Sequence, residues 1–379
     1  MKLVQRYYFD HNATTPVAPE VLEALLPMMT EVYGNASSIH HFGQIARQRL
    51  DVARKQVAGL VGAEAQEIVF TSGGTEADNL AIFGSGGHVV TTTFEHPAVL
   101  AAAAQMDHTL VPVDGRGMID PDEIRGALRP ETKVISVMHA NNEVGTIQPI
   151  REIARIAAEA GVALHSDGVQ AAGKIAVNAA ELGITMYSIS GHKIGAPKGV
   201  GVLYVRNGTT LKPMMYGGRH ERERRAGTEN VAGAVALGQA AEWIRQHGDA
   251  ENRRQSVLRD RLEQSILDRI PDTCVNGAPV SSVPRVPNTT NIRFSGIDSD
   301  ALLIALDLRG FAVSSGAACS SGAPEPSHVL LAMGLSRLEA RSSVRFSLGR
   351  SNTIEQVDAL VEALVESVTH LRKLAPSYA

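Results

Sequence analysis

Apolar positions in the first part of this chain switch between two periods. From about Pro16 to Gly201, stretches with a helical repeat alternate with short runs of β-branched and apolar residues. The spacing predicts a helix over 46–61, a strand at 67–70, a helix from Glu76 and a strand at 88–92. A strand at 133–138, a helix at 150–160 and strands at 163–166 and 186–190 continue the rhythm. Strands separated by helical crossovers imply a mostly parallel sheet covered on both faces, so this domain is expected to be α/β. Beyond Gly227 a helical run from Val231 to Ile270, interrupted only near Gly248 and ended by Pro271, leads out of it. The remainder mixes turns at Pro279, Pro284 and Pro287 with strands at 290–294 and 343–348 and helices at 298–309 and 354–374, the pattern of a smaller α+β domain.

Length supports this division, since 379 residues exceed what one core usually serves. A net charge of -4 leaves no basic excess of the kind that draws nucleic acid, so direct nucleic-acid binding is not expected. The amino terminus lacks a secretory h-region, and no apolar run approaches the roughly 20 residues that span a bilayer. With only Cys274 and Cys319, a disulfide framework is excluded and a cytoplasmic location is expected. Thirteen histidines are scattered, with neither HExxH nor a paired Cys-x-x-Cys, so no metal site is predicted.

Three segments carry the chemistry. In 70–76 (FTSGGTE) a strand runs into two glycines and then a helix, a turn that presents helix amides and the Thr75 hydroxyl to a phosphate. The same residues also fit a plain strand-to-helix turn with Thr75 as N-cap. In 165–170 (HSDGVQ) Asp167 ends a predicted parallel strand, where ligands of open α/β sheets collect. It could pair with a protonated pyridine nitrogen and Gln170 could reach the ring hydroxyl, or the two could be a capping Asp and a surface Gln. In 190–199 (SGHKIGAPKG) Lys193, flanked by Ser190 and His192, fits a Schiff-base lysine whose pKa is lowered by partial desolvation; Lys198 reads as a loop charge.

Ten stretches, in order from residue 8 to 350, resemble the cysteine desulfurases of the NifS/IscS type, in the fold-type-I, class-V-aminotransferase-like group of pyridoxal-phosphate enzymes. They are YFDHNATTP (8–16), GNASSIHHFG (34–43), FTSGGTEADN (70–79), EHPAV (95–99), HANNEVGTIQPI (139–150), HSDGVQ (165–170), SGHKIGAPKG (190–199), RAGTEN (225–230), SSGAACSSGAPEPSHVL (314–330) and SSVRFSLGR (342–350). The resemblance implies a large cofactor domain over 14–257 with a seven-stranded, mostly parallel sheet between helices, and a small domain from 1–13 and 258–379. Pyridoxal 5'-phosphate is the implied cofactor. Lys193 should carry it, Asp167 and Gln170 should contact its ring, His96 should stack on the ring and share in proton movement, and Gly74, Thr75, Ser190 and His192 should hold its phosphate. Thr228 should reach the phosphate of the neighbouring subunit, which implies a homodimer.

Asn142 and Arg345 should grip the substrate carboxylate. The alternation in 344–348 (VRFSL) independently turns Arg345 to the face opposite the core, where it is either a carboxylate fork or a solvated charge; Arg341 and Arg350 fall outside that alternation. Cys319 lies in 314–324, a small-residue stretch suited to a loop, and should receive sulfur from L-cysteine as a persulfide, leaving L-alanine. On the residues alone it could equally be inert, as Cys274 is read. Sulfur would pass to an acceptor protein such as an iron-sulfur scaffold or to another thiolation pathway. The chain runs only to Ala379 beyond its last predicted helix, so acceptor docking through a long tail is not expected. Other pyridoxal-phosphate lyases and aminotransferases, including selenocysteine lyases, share this scaffold, and a non-catalytic cofactor-binding protein is a more distant alternative.

Overall fold

The computed structural model describes residues 5–277, 283–316 and 325–374. Seven strands build the central sheet: β1 (Ile68–Thr71), β2 (His88–Thr92), β3 (His108–Val111), β4 (Thr132–Ser136), β5 (Ala163–Asp167), β6 (Met186–Ser190) and β7 (Gly201–Val205). Their spatial order is β1-β7-β6-β5-β4-β2-β3. Strand β7 is antiparallel to both neighbours and every other pair is parallel. The expected α/β class is therefore present, and β1, β2, β6 and β7 are buried along their whole length, as strands covered by helices on both faces must be. The register sets Asp167 beside Ser188, so that Asp167 and Ser190 leave the sheet at the same carboxyl edge.

Most element boundaries follow local chemistry that periodicity does not reveal. The helix expected from residue 46 starts at His41, because the His40 side chain accepts from the Gly43 amide and caps it. The strand expected from 67 starts at Ile68, since Glu64 and Glu67 form a reciprocal capping box around a 3-10 turn. The predicted interruption near Gly248 is absent: one helix runs from Val231 to Arg269. Glycine costs about 1 kcal/mol in a helix interior, but tertiary packing on both sides of Gly248 outweighs it. Val231, Leu237 and Ala241 of this helix enter the main core under the seven-stranded sheet. Leu258, Leu262 and Ile266 enter a second core with Phe294, Phe346 and Leu360.

That second core backs a three-stranded antiparallel sheet of Thr273–Val275, Thr289–Phe294 and Ser343–Ser347. Cys274 sits in this sheet opposite Arg293, a structural position that matches its reading as inert. The amino-terminal segment is tied to the same unit, with Tyr7–Tyr8 parallel to Phe311–Ala312 and Asp10 bridged to Ser347. From there it crosses to the carboxyl edge of the large sheet. Among the described residues no helix is long and apolar enough to cross a membrane.

Residues 219–225, where Glu221 and Glu223 interleave a run of arginines, form an ion-paired loop. Arg225 pairs with Glu76 at 2.8 Å and Arg219 with Glu223 at 3.1 Å. Its strongest tether comes from outside the run: Arg54 donates to both Glu221 carboxylate oxygens at 2.6 and 2.7 Å, and Glu221 also accepts from the Phe70 amide. Glu221, Arg222 and Glu223 all have positive φ, a conformation that costs non-glycine residues about 1 kcal/mol or more each and persists only when contacts impose it. Replacing Arg54 by Met should leave Glu221 buried and unpaired and lower stability in urea unfolding by about 3–5 kcal/mol. The double replacement Arg54→Met with Glu221→Leu should cost clearly less than Arg54→Met alone.

Candidate functional site

The carboxyl ends of β1, β5 and β6 open onto a cleft of about 540 Å³. Its phosphate side is built around the turn after β1. Gly73 and Gly74 lead into the helix Gly74–Ser85, whose N-cap is Gly73; Thr75 is inside the first turn and is not the N-cap. Thr75 is therefore not the cap, and it lines the cleft. Small size is required here: a Cβ on Gly74 would come within 2.8 Å of Val169, and one on Gly201 within 2.6 Å of the Gly73 backbone. Ser190 at the end of β6 and His192 in the following 3-10 turn line the same wall. Burial lowers the His192 pKa to about 4, so its imidazole is neutral and can donate from one nitrogen.

Lys193 lies across the floor. Its Nζ donates to the backbone carbonyls of Asn12 at 2.5 Å and Ala13 at 2.8 Å. Desolvation first, and the Arg345 guanidinium second, lower its pKa to about 8, with Asp10 and Asp167 acting the other way. Asp167 is buried and accepts from the Val169 amide, so it is a cap as well as a candidate ring partner. Burial raises its pKa, and the nearby positive charges oppose that rise. Two acids absent from the sequence assignments stand behind it. Asp78 is buried with one oxygen lacking a hydrogen-bond partner, and Glu95 accepts from Thr92 and the Met138 amide. Desolvation drives both upward, Glu95 to about 8, which leaves Asp167 as the carboxylate best placed to stay ionised.

His96 both lines the cleft and caps the helix Pro97–Ala103, its Nδ1 accepting from the Ala98 amide. The cap therefore places the proton of the neutral ring on Nε2. Gln170 is buried, which excludes the surface alternative. Asn142 and Arg345 meet: Arg345 donates to the Asn142 carbonyl at 3.1 Å and to Asp10 at 2.6 Å. Arg345 faces away from the core residues Val344 and Phe346 and lines the cleft, but that face is covered and the solvated alternative is excluded. All of Ser343–Ser347 is buried, because helices and the amino-terminal segment cover both faces of that strand, and Arg345 is only 4% exposed. Among the described residues its Nε is a buried donor without a partner, available to a carboxylate, and the Asn142 Oδ1 is likewise unpartnered. The rejected neighbours are engaged elsewhere, Arg350 with Glu20 and Trp243 and Arg341 with Asp298. Lys198 is exposed at the rim.

Two assigned residues stand apart. Thr228 is exposed and does not line the cleft of its own chain. Cys319 lies outside the described residues, although Ser314 and Gly316, just before it, line the cleft. The unassigned participants are Asp10, Asn12, Asp78, Glu95 and Lys174. All but Lys174 fall within the quoted motifs, but only their contacts in the fold reveal their work. The donor set suits pyridoxal phosphate: helix amides and hydroxyls for a dianion, a desolvated lysine, and a buried carboxylate that lacks a cationic hydrogen-bond partner.

The Aminotransferase class-V family profile matches residues 7–360. A cysteine desulfurase of Trichormus azollae is 48% identical over 380 residues, covering 97% of this chain and 94% of that protein. Among solved structures, a NifS-like protein superposes with a TM-score of 0.90 at 34% identity, covering 97% of this chain and all (100%) of the other. SspA in complex with cysteine superposes with a TM-score of 0.79, also at 34% identity, covering 90% of this chain and 98% of the other.

In the cofactor-free protein, arylation of Lys193 by an amine-directed reagent should reach half its limiting rate near pH 8. An ordinary lysine would do so at about 10.4. Arg345→Ala removes the largest charged cause of the depression and should move the midpoint upward. A midpoint near the ordinary value in the unaltered protein would contradict the described floor.

Proposed function

This chain belongs to the Aminotransferase class-V family and is a cysteine desulfurase, and from that premise we propose that the cleft holds pyridoxal 5'-phosphate on Lys193 and that Cys319 takes the sulfur of L-cysteine. The observation carrying this reading is the convergence of a desolvated Lys193, the amino end of the helix Gly74–Ser85 and buried Asp167 on one cleft. Bound there, the cofactor would supply an electron sink for charge released at the substrate α-carbon. Gly74, Thr75, Ser190 and His192 hold the phosphate, Asp167 keeps the ring nitrogen protonated and Gln170 meets the ring hydroxyl. His96 packs on the ring and, through Nε2, donates toward the cleft.

Arg345 and Asn142 seize the substrate carboxylate, the guanidinium exchanging part of its bond to Asp10 for the incoming anion. Lys193, once released, takes the proton from the α-carbon and returns protons as alanine forms. The Cys319 thiolate attacks the substrate sulfur; the carbon–sulfur bond breaks, its electrons remain with the alanine skeleton, and the sulfur stays on Cys319 as a persulfide for an acceptor protein. A solved relative in complex with cysteine favours that substrate over selenocysteine. Iron-sulfur assembly or another cytoplasmic thiolation pathway would consume the persulfide.

The cofactor domain corresponds to 14–257, with 1–13 and 258–379 forming the smaller domain. A homodimer completes each site with Thr228 of the second copy. Supporting this, Thr228 is exposed, and Tyr33, Ile39 and Tyr216 leave 68%, 92% and 85% of their surface uncovered in a single chain.

The deciding experiment follows alanine and persulfide from L-cysteine. Cys319→Ser should lose the persulfide and at least about a hundredfold in alanine rate while keeping the visible band of bound cofactor; full-rate alanine from this variant would refute the assignment. For the dimer, mixing Lys193→Ala subunits with Thr228→Val subunits should restore one intact site per heterodimer. Activity no better than that of either parent would place Thr228 in its own chain's site.

A further inference from the structure

Among the described residues no acid pairs with Lys174. It follows β5 by a short turn, four residues beyond Gln170, and the charged groups acting on it are Lys193 and Arg345, both cationic. Its Nζ instead donates to two neutral oxygens, Gln170 Oε1 at 2.5 Å and Asn12 Oδ1 at 2.8 Å. A desolvated amine beside two cations is costly, and an apolar side chain of equal length would fill the space without that cost. Its presence therefore calls for a role other than packing.

The role follows from what the two amides do with their other ends. Gln170 Nε2 donates to the Asn12 carbonyl at 3.0 Å, and that same carbonyl accepts from Lys193 Nζ. Asn12 Nδ2 donates to the Asn142 carbonyl at 3.1 Å, which also accepts from Arg345. Gln170 is thus held at its nitrogen by a backbone carbonyl and at its oxygen by Lys174, while Asn12 is held at its nitrogen by the Asn142 carbonyl and the Thr289 hydroxyl and at its oxygen by Lys174 together with Asn288 Nδ2 at 3.1 Å. An amine facing two carbonyl oxygens must donate to both, so neither amide can turn over without setting N–H against N–H. We propose that Lys174 is a positioning residue: one amine fixes Gln170 on the cofactor side and Asn12, hence Asn142 and Arg345, on the substrate side, and keeps the two in register. This rests on the assignment of Gln170 and Arg345 made above.

Lys174→Met tests it through three readouts. The visible band of the Lys193-bound cofactor should titrate at higher pH than in the unaltered enzyme, because Gln170 no longer presents a fixed donor to the ring oxygen. KM for L-cysteine should rise about tenfold, the equivalent of one or two misaligned hydrogen bonds, with a smaller change in kcat. The melting temperature of the cofactor-free chain should hold or rise, whereas a purely structural lysine would lower it. Lys174→Gln keeps a neutral donor and should fall between the two in titration and KM, which preserves the test if Lys174→Met does not fold. Wild-type titration and KM in Lys174→Met, or in Lys174→Gln where only that variant folds, would overturn the inference alone. An unaltered enzyme with no cofactor band on Lys193 would overturn both this inference and the functional reading beneath it.

Discussion

Everything at the floor of this cleft is constrained by an excess of positive charge in a poorly solvated place. Lys193 and Arg345 line the cleft, and Lys174, bonded to the lining residues Asn12 and Gln170, sets a third basic group behind them. Asp10 and Asp167 offset them only in part, while Asp78 and Glu95 are driven toward their neutral forms. A nucleophilic lysine near neutrality, a guanidinium ready for a carboxylate and attraction for an anionic cofactor are three consequences of one imbalance. The fold sustains it because the opposing groups are anchored in two different cores: Lys193 and Asp167 on the large sheet, Arg345 and Asp10 on the small one.

The amino-terminal segment is what joins those halves. It is strapped to the small sheet through Tyr7–Tyr8 and Asp10, then passes under the cleft, where the carbonyls of Asn12 and Ala13 receive Lys193. A backbone carbonyl is a sound partner for a reactive lysine. It orders the amine by hydrogen bonding, yet carries no full charge that would lift its pKa back to the ordinary value. Asp10, two residues earlier, supplies its charge to Arg345, where holding the guanidinium in line is more useful.

Sequence periodicity located five of the seven strands of the large sheet, those that are short apolar runs between helices with clear stripes; it missed β3, which is only partly buried, and β7 beyond the glycine-rich turn. It failed at Gly248, where two separate cores hold the halves of one helix, and it left Arg345 open between a carboxylate fork and a solvated charge until the covering amino-terminal segment excluded the second. The site residues Thr75, Asp167, Gln170, Ser190, His192 and Lys193 were legible because they stand at strand ends and in glycine turns, the places where parallel sheets present ligands. Asp78, Asn12 and Lys174 were not. Asp78 sits at helical spacing, Asn12 works through a carbonyl and a side-chain amide whose partners are remote in sequence, and Lys174 differs from any surface lysine only in what surrounds it.

Under the proposed dimer the site would extend beyond the cleft itself to Thr228. Its loop is held in an unfavourable backbone conformation by the buried Arg54–Glu221 pair, and Glu221 also grips the Phe70 amide of β1. Four residues after Phe70 the chain enters the phosphate turn. The tether thus links the outward-facing loop rigidly to the strand that ends in its own phosphate cradle, and Arg225–Glu76 repeats the link one turn further on. A loop required only to be soluble would have no need of such bracing. In a symmetric pair the bracing would make the placement of Thr228 in the second copy as exact as the placement of the first copy's own glycines, since both are set by the same strand.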